Sequence, residues 1–108
     1  MAPAVADAHR EQIWRIVNSI PQGKVTSYGV VAQLAGLPRG ARLVGRLLSQ
    51  LPAGSVLPWH RVLNAAGRIS FPEGSRQYRE QRERLLAEGV NFRGQRADLA
   101  SCGWNPLR

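Results

Sequence analysis

Residues 27–51 read SYGVVAQLAGLPRGARLVGRLLSQL, and no other stretch restricts the fold so tightly. Ser27 is a strong helix N-cap and Gly36 a strong stop. Val30, Val31 and Leu34 supply the buried side of the helix between them. After the turn LPRG, the apolar residues Ala41, Val44, Leu48 and Leu51 again recur at helical spacing, while Arg42 and Arg46 lie four apart on another face. Two short helices about a tight turn have the length pattern of a helix-turn-helix, whose second helix enters a DNA groove.

The flanking segments fit around that unit. Ile13, Ile16, Val17 and Ile20 mark one face of a first helix, which Pro21 and Gly23 end. KVTS reads as short and extended. RVLNAAGRISF reads as two strands about an Asn/Ala/Gly turn, with Ile69 and Phe71 on one face, and a hairpin in that place is a wing. SRQYREQRERLLAEGV is a last helix with Tyr78, Leu85 and Leu86 inward, an i,i+4 Glu80–Arg84 pair, and Gly89 as its stop. The tail carries no clear pattern, although Trp104 is expected to pack back on the body. The expected fold is mainly α with a small β-hairpin wing, a winged helix-turn-helix, in one domain over residues 1–108.

Charge and cysteine content narrow the function classes. The formal net charge of the 108-residue chain is +8, and Lys24 is the only lysine. Arginine binds phosphate through a planar fork and stacks on bases, so a small basic domain of this kind is a candidate nucleic-acid binder. A high-GC genome would also inflate arginine, and composition leaves both readings open. A single cysteine, Cys102, excludes a disulfide framework, and His9 and His60 are too few for a histidine metal cluster. No metal or cofactor is expected. No apolar run approaches the ~18 residues of a membrane span, so no membrane partner is expected either. A reducing, cytoplasmic, bacterial nucleoid setting fits, with the protein a monomer.

The run SVLPWHRVLN holds the densest chemistry in the chain. PWHRV at 58–62, VTSYG at 25–29 and ARLVG at 41–45 resemble the DNA-binding domain of the O6-alkylguanine-DNA alkyltransferases. They are still more similar to the alkyltransferase-like proteins, in which tryptophan replaces the reactive cysteine. The resemblance runs from about Ile13 to Val90. It implies a minor-groove approach and a damaged guanine flipped into a pocket. In the alkyltransferases a cysteine beside the histidine then takes the alkyl group, assisted by that histidine and a glutamate. Here these positions fall on Trp59, His60 and Glu88. The tyrosine that helps hold and rotate the base falls on Tyr28, and the arginine that fills the vacated gap on Arg42. Besides Trp59, two features depart from the alkyltransferase pattern. Leu51-Pro52 stands where Asn-Pro usually precedes the active-site turn, and PEGSRQ replaces a Gly-rich loop.

Tryptophan changes what such a site can do. Indole has no accessible nucleophilic anion near neutral pH, whereas a thiolate beside a histidine has one. Trp59 can offer a flat surface to a flipped base, and stacking of that kind contributes ~1–3 kcal/mol per base. A lesion pocket of Trp59, Tyr28, Pro58, His60 and Glu88 is expected, with His60 and Glu88 orienting the turn. Arg42, Tyr28, Arg39, Arg46, Arg61 and Ser27 are the expected DNA-binding residues. For Arg61, bracing of the turn through backbone carbonyls stands beside phosphate contact. Arg68 either touches DNA or faces water. The expected function is non-enzymatic recognition of O6-alkylguanine in double-stranded DNA, flagging the lesion for nucleotide excision repair proteins. The alternatives are a true alkyltransferase using Cys102, and a sequence-specific winged-helix regulator.

Overall fold

The computed structural model describes residues 2–52 and 54–107, with side chains from residue 8 onward. Among these residues five helices and four short strands follow one another. They are α1 (Ala2–Asn18), β1 (Thr26–Ser27), α2 (Tyr28–Leu34), α3 (Ala41–Ser49), β2 (Val62–Leu63), α4 (Arg76–Ala87), β3 (Phe92–Arg93), β4 (Arg96–Ala97) and α5 (Leu99–Cys102). A single 3₁₀ turn over Trp59–Arg61 leads into β2.

The helix-turn-helix forms as its sequence predicts. Ser27 Oγ accepts the Val30 amide at 3.1 Å and caps α2. At the other end the Leu37 amide reaches back to the Ala32 carbonyl at 2.8 Å, closing the helix at Gly36. The inward residues of α2 are Val31 and Ala32, and those of α3 are Val44 and Leu47. Leu34 is only half-buried, and Leu48 instead lines a cavity. The turn between the helices is so tight that a Cβ on Gly40 would lie 2.8 Å from Leu37 Cβ and 3.0 Å from its carbonyl oxygen.

Two apolar clusters make the interior. One joins Ile13, Val17 and Ile20 of α1 to Val31, Ala32, Val44, Leu47 and Val62. The other gathers Val25, Leu63, Ile69, Leu85, Val90, Ala97 and Cys102. Successive strand residues face opposite sides, so Val62 enters the first cluster and its neighbour Leu63 the second. The strand between the clusters is β2, buried on both sides and paired in parallel with β1 through Thr26↔Val62 and Ser27↔Leu63.

That double burial moves the expected hairpin. The segment RVLNAAGRISF, residues 61–71, predicts two strands facing each other, but β2 pairs with β1 instead. Residues 64–68 close only a tight turn, with the Asn64 amide on the Arg68 carbonyl at 3.0 Å. The antiparallel hairpin is β3–β4, paired Phe92↔Ala97 and Arg93↔Arg96, inside the tail that showed no pattern. The fold class stands, mainly helical with one small antiparallel sheet. The tail also returns to β1, where the Val25 amide donates to the Cys102 carbonyl at 2.8 Å and the Trp104 amide to the Val25 carbonyl at 2.7 Å. Trp104 and Trp14 both pack against the first cluster.

Helix α4 begins on Ser75, whose Oγ accepts the Tyr78 amide at 3.1 Å. Its inward residues are Leu85 and Gln81, while Leu86 is 49% exposed rather than inward as expected. Gly89, at φ +91°, reverses the chain there. The Val90 amide then reaches the Leu85 carbonyl at 3.0 Å and the Gly89 amide the Leu86 carbonyl at 3.0 Å, a Schellman ending that fixes Glu88 at the last turn.

Gly40→Ala should destabilise the protein by about 1–3 kcal/mol, because Leu37 must move to admit the methyl group. Urea unfolding monitored by circular dichroism measures this. An unchanged midpoint would mean that the turn has slack.

Candidate lesion site and nucleic-acid interface

Pro58 is buried, and the 3₁₀ turn after it presents Trp59 half-buried and His60 buried. The turn is held from below by one carboxylate. Glu88 Oε2 lies 2.7 Å from His60 Nε2. Arg61 donates from Nε to Oε1 at 3.0 Å and from Nη2 to Oε2 at 2.8 Å. The Gly23 amide donates to Oε1 at 3.1 Å. Arg61 Nη1 continues to the Ile20 carbonyl at 2.8 Å. The end of α4, the loop after α1 and the PWHR turn thus meet at Glu88.

The geometry of Arg61 matches the bracing reading. Its guanidinium forks across Glu88 and Ile20, and its side chain keeps only 16% of its exposure. In that position it braces the turn.

Gln81 completes the brace and is a residue that sequence reasoning missed. It is 1% exposed, and its Nε2 donates to the carbonyls of His60 and Val62 at 3.1 Å each. Its signal was spacing, since positions 78, 81 and 85 share one helix face. A glutamine between arginines and glutamates looked like part of a solvated surface.

Burial raises the Glu88 carboxyl pKa, but the hydrogen bonds from Arg61, His60 and Gly23 outweigh it and hold the group at about 2. Burial pushes the His60 imidazole below its ordinary value, against the pull of Glu88. The balance favours the neutral imidazole. The contact with Glu88 assigns its proton to Nε2, and Nδ1 is a buried acceptor without a partner among the described residues. In an alkyltransferase such a histidine would serve a thiol. Here it stands beside an indole.

Trp59 meets His60 edge to face at 6.0 Å and Phe71 at 6.3 Å. The Arg84 guanidinium lies 5.5 Å from the Trp59 ring centre and pairs with Glu80 at 2.9 Å. The indole stands in the walls of two cavities. One, of about 460 Å³, opens between α3 and the 70–72 segment, with Tyr28, Arg42, Gly45, Leu48, Phe71 and Gln81 around it. The Tyr28 ring lies against Gly45, 3.8 Å from where a Cβ would be. The other cavity, of about 530 Å³, is bounded by Leu51, Pro52, Ser55, Arg76 and Arg84.

The structure brings Trp59, Tyr28 and Arg42 to one cavity. It places Pro58, His60 and Glu88 beneath as support, and they do not line that cavity. Arg39 and Arg46 are exposed on the turn and on α3, and the Ser27 hydroxyl is engaged in the cap of α2. Cys102 lies in the second cluster, its Sγ donating to the Asp98 carbonyl at 2.9 Å. Burial and the neighbouring Asp98 push its thiol pKa up, away from a reactive thiolate. The described residues contain no group of His, Cys, Asp and Glu able to hold a metal.

Comparison with known proteins places this geometry. The family described as 6-O-methylguanine DNA methyltransferase, DNA binding domain, matches residues 8–90. A protein of Escherichia coli K12 named DNA base-flipping protein is 51% identical over 100 residues, covering 92% of this chain and 76% of that protein. The structure of S. pombe Atl1 in complex with damaged DNA containing O6-carboxymethylguanine superposes with a TM-score of 0.82 at 34% identity, covering 93% of this chain and 97% of that one. Mycobacterium tuberculosis OGT in complex with DNA gives a TM-score of 0.64 at 32% identity, covering 73% of this chain and 48% of that one.

The ion cluster sets a pH dependence. A depressed carboxylate stabilises the fold above its unfolded pKa of 4.5 and loses that contribution as the pH falls toward about 2. His60, lowered from 6.5, acts in the same direction, since burial opposes the proton that the unfolded chain accepts. Stability should therefore decline in acid, first through His60 and then through Glu88. Glu88→Gln should cost about 3 kcal/mol at pH 7 and flatten the acid limb between pH 4.5 and about 2. Acid unfolding of both proteins by circular dichroism checks the shape of that limb.

With its helix-turn-helix, its braced PWHR turn and an indole at the acceptor position, the chain belongs to the O6-alkylguanine-DNA alkyltransferase family, among the alkyltransferase-like members.

Proposed function

We propose that this protein senses O6-alkylguanine in duplex DNA, flips the damaged nucleotide and holds it without removing the alkyl group. The observation that carries the reading is Trp59 in the wall of the cavity beside α3, where the enzymes of the family have their cysteine. The cavity volume of about 460 Å³ falls within the ~300–1,000 Å³ of small-molecule sites. Its wall is mostly apolar and aromatic, as a stacked base requires.

The residues at the cavity and on the exposed face have separate tasks in that event. Helix α3 approaches the minor groove, and its exposed Arg42 stands at the cavity mouth, able to occupy the gap in the stack. Flipping costs a few kcal/mol, less for a base that pairs poorly. O6-alkylguanine is such a base, having lost its N1 proton. Tyr28 turns the nucleotide, and Trp59 receives its face. Arg39 and Arg46 contact phosphates. The second cavity, across Trp59, gives room to substituents larger than methyl.

A held but unrepaired lesion needs a downstream system, and we infer that the complex is the mark that nucleotide excision repair proteins read. The protein acts as a monomer in this reading. The Cys102 alternative is disfavoured by that thiol's burial in the second cluster. A sequence-specific regulator would have no use for a base-sized cavity walled by Trp59 and Phe71.

The test compares one oligonucleotide with and without O6-methylguanine at fixed salt. The methylated duplex should bind more tightly, and a labelled methyl group should stay on the DNA. Equal affinities would overturn the reading, and stoichiometric label on protein would return the enzyme alternative. Trp59→Ala should weaken binding of the methylated duplex by ~1–3 kcal/mol and leave the plain duplex nearly unaffected. Fluorescence anisotropy titrations measure both.

A further inference from the structure

Strand β4 joins three arginines. Arg96 pairs with Arg93 across the hairpin, and it also bridges Arg68 in antiparallel sense. Residues directly opposite in antiparallel strands project to the same face with Cβ atoms ~4.5–5.5 Å apart. The three side chains therefore leave the backbone side by side on one face, and all three residues are exposed.

None of the three forms an ion pair among the described residues. Nearby arginines differ, since Arg84 holds Glu80 at 2.9 Å and Arg82 covers the Phe92 ring at 4.4 Å. Like charges directly opposite destabilise a sheet, so the row costs stability in the free protein.

The backbone that carries the row is fixed in place. The Ala97 amide donates to the Gly67 carbonyl at 2.9 Å, the Asp98 amide to the Asn91 carbonyl at 2.8 Å, and Tyr78 Oη to Gln95. Three cations rising from one fixed face suit a ligand with closely repeated negative charge, and a DNA strand carries one phosphate per ~3.4 Å of helix rise. The row lies over the second cluster and lines neither cavity at Trp59, whereas α3 belongs to the first cluster.

We propose that Arg68, Arg93 and Arg96 form a second contact for DNA phosphates, separate from the lesion site and indifferent to the lesion. This rests on the reading of the protein as a DNA binder and not on its preference for damaged guanine. The contact adds lesion-independent affinity, either on flanking DNA or on a second duplex.

The test uses the full chain carrying Arg68→Gln, Arg93→Gln and Arg96→Gln together, with the three Arg→Lys changes as the charge-preserving control. Binding to an undamaged long duplex is measured across salt concentrations. The Gln protein should show a log–log salt slope shallower by about 0.9 for each phosphate released, and the Lys protein should keep the wild-type slope. Without DNA at low salt, the Gln protein should unfold at the same or a higher temperature than wild type. The affinity ratio of methylated to plain duplex should match wild type.

Equal slopes in wild type and Gln protein overturn the proposal, including where the Gln protein proves more heat-stable, since the row then serves another anion. Loss of the slope difference is distinct from failure of the lesion reading, which would appear as equal wild-type affinity for methylated and plain duplex. Capture of a second labelled duplex on a biotinylated one, by wild type and not by the Gln protein, would support bridging. A changed slope without capture would support flanking contact on one duplex.

Discussion

Everything at the site leans on one carboxylate. Glu88 receives His60, Arg61 and the Gly23 amide within 2.7–3.2 Å. It thereby fastens three segments that are distant in sequence. The depth of its pKa depression, to about 2 against burial, corresponds to roughly 3 kcal/mol of preference for the charged form in place. Such a cluster is expensive to assemble and more expensive to break singly. Its return is a turn whose backbone hardly moves, so that the side chain at position 59 is aimed before any ligand arrives. Gln81 serves the same end from α4 by holding the carbonyls on both sides of Arg61.

In a transferase that rigidity would align a nucleophile. Here the same frame carries a ring with nothing to donate to an alkyl carbon. His60, neutral and hydrogen-bonded, keeps the posture of a base without a proton to take. In the proposed reading the energy of the site is then binding energy alone, drawn from stacking and from an arginine at the cavity mouth. A tight, unreacted complex is the natural product of that balance.

The helical part of the fold was legible because it obeys local rules. Ser27, Gly36, Ser75 and Gly89 act as their residue types predict. The sheet was not, and the reason is specific. Val62-Leu63 has the same apolar look whether it is half of a hairpin or a strand sealed on both faces, and only the partner, β1, thirty-odd residues earlier, decides. The real hairpin hides in NFRGQRADL because its exposed positions are arginines rather than β-formers. At the site, Trp59, Tyr28 and Arg42 were found through a motif whose order and spacing are distinctive. Gln81 was passed over because its neighbours are charged, and the internal role of Arg61 required knowing that α4 ends beside the turn.

Trp59 has one more consequence. Indole is the strongest near-ultraviolet emitter among the side chains, and this one forms part of the wall of both cavities. Trp14 and Trp104 pack against the first cluster instead. The molecule therefore carries its own optical gauge at the spot where a guanine would settle, and occupancy can be followed by its emission without attaching any dye.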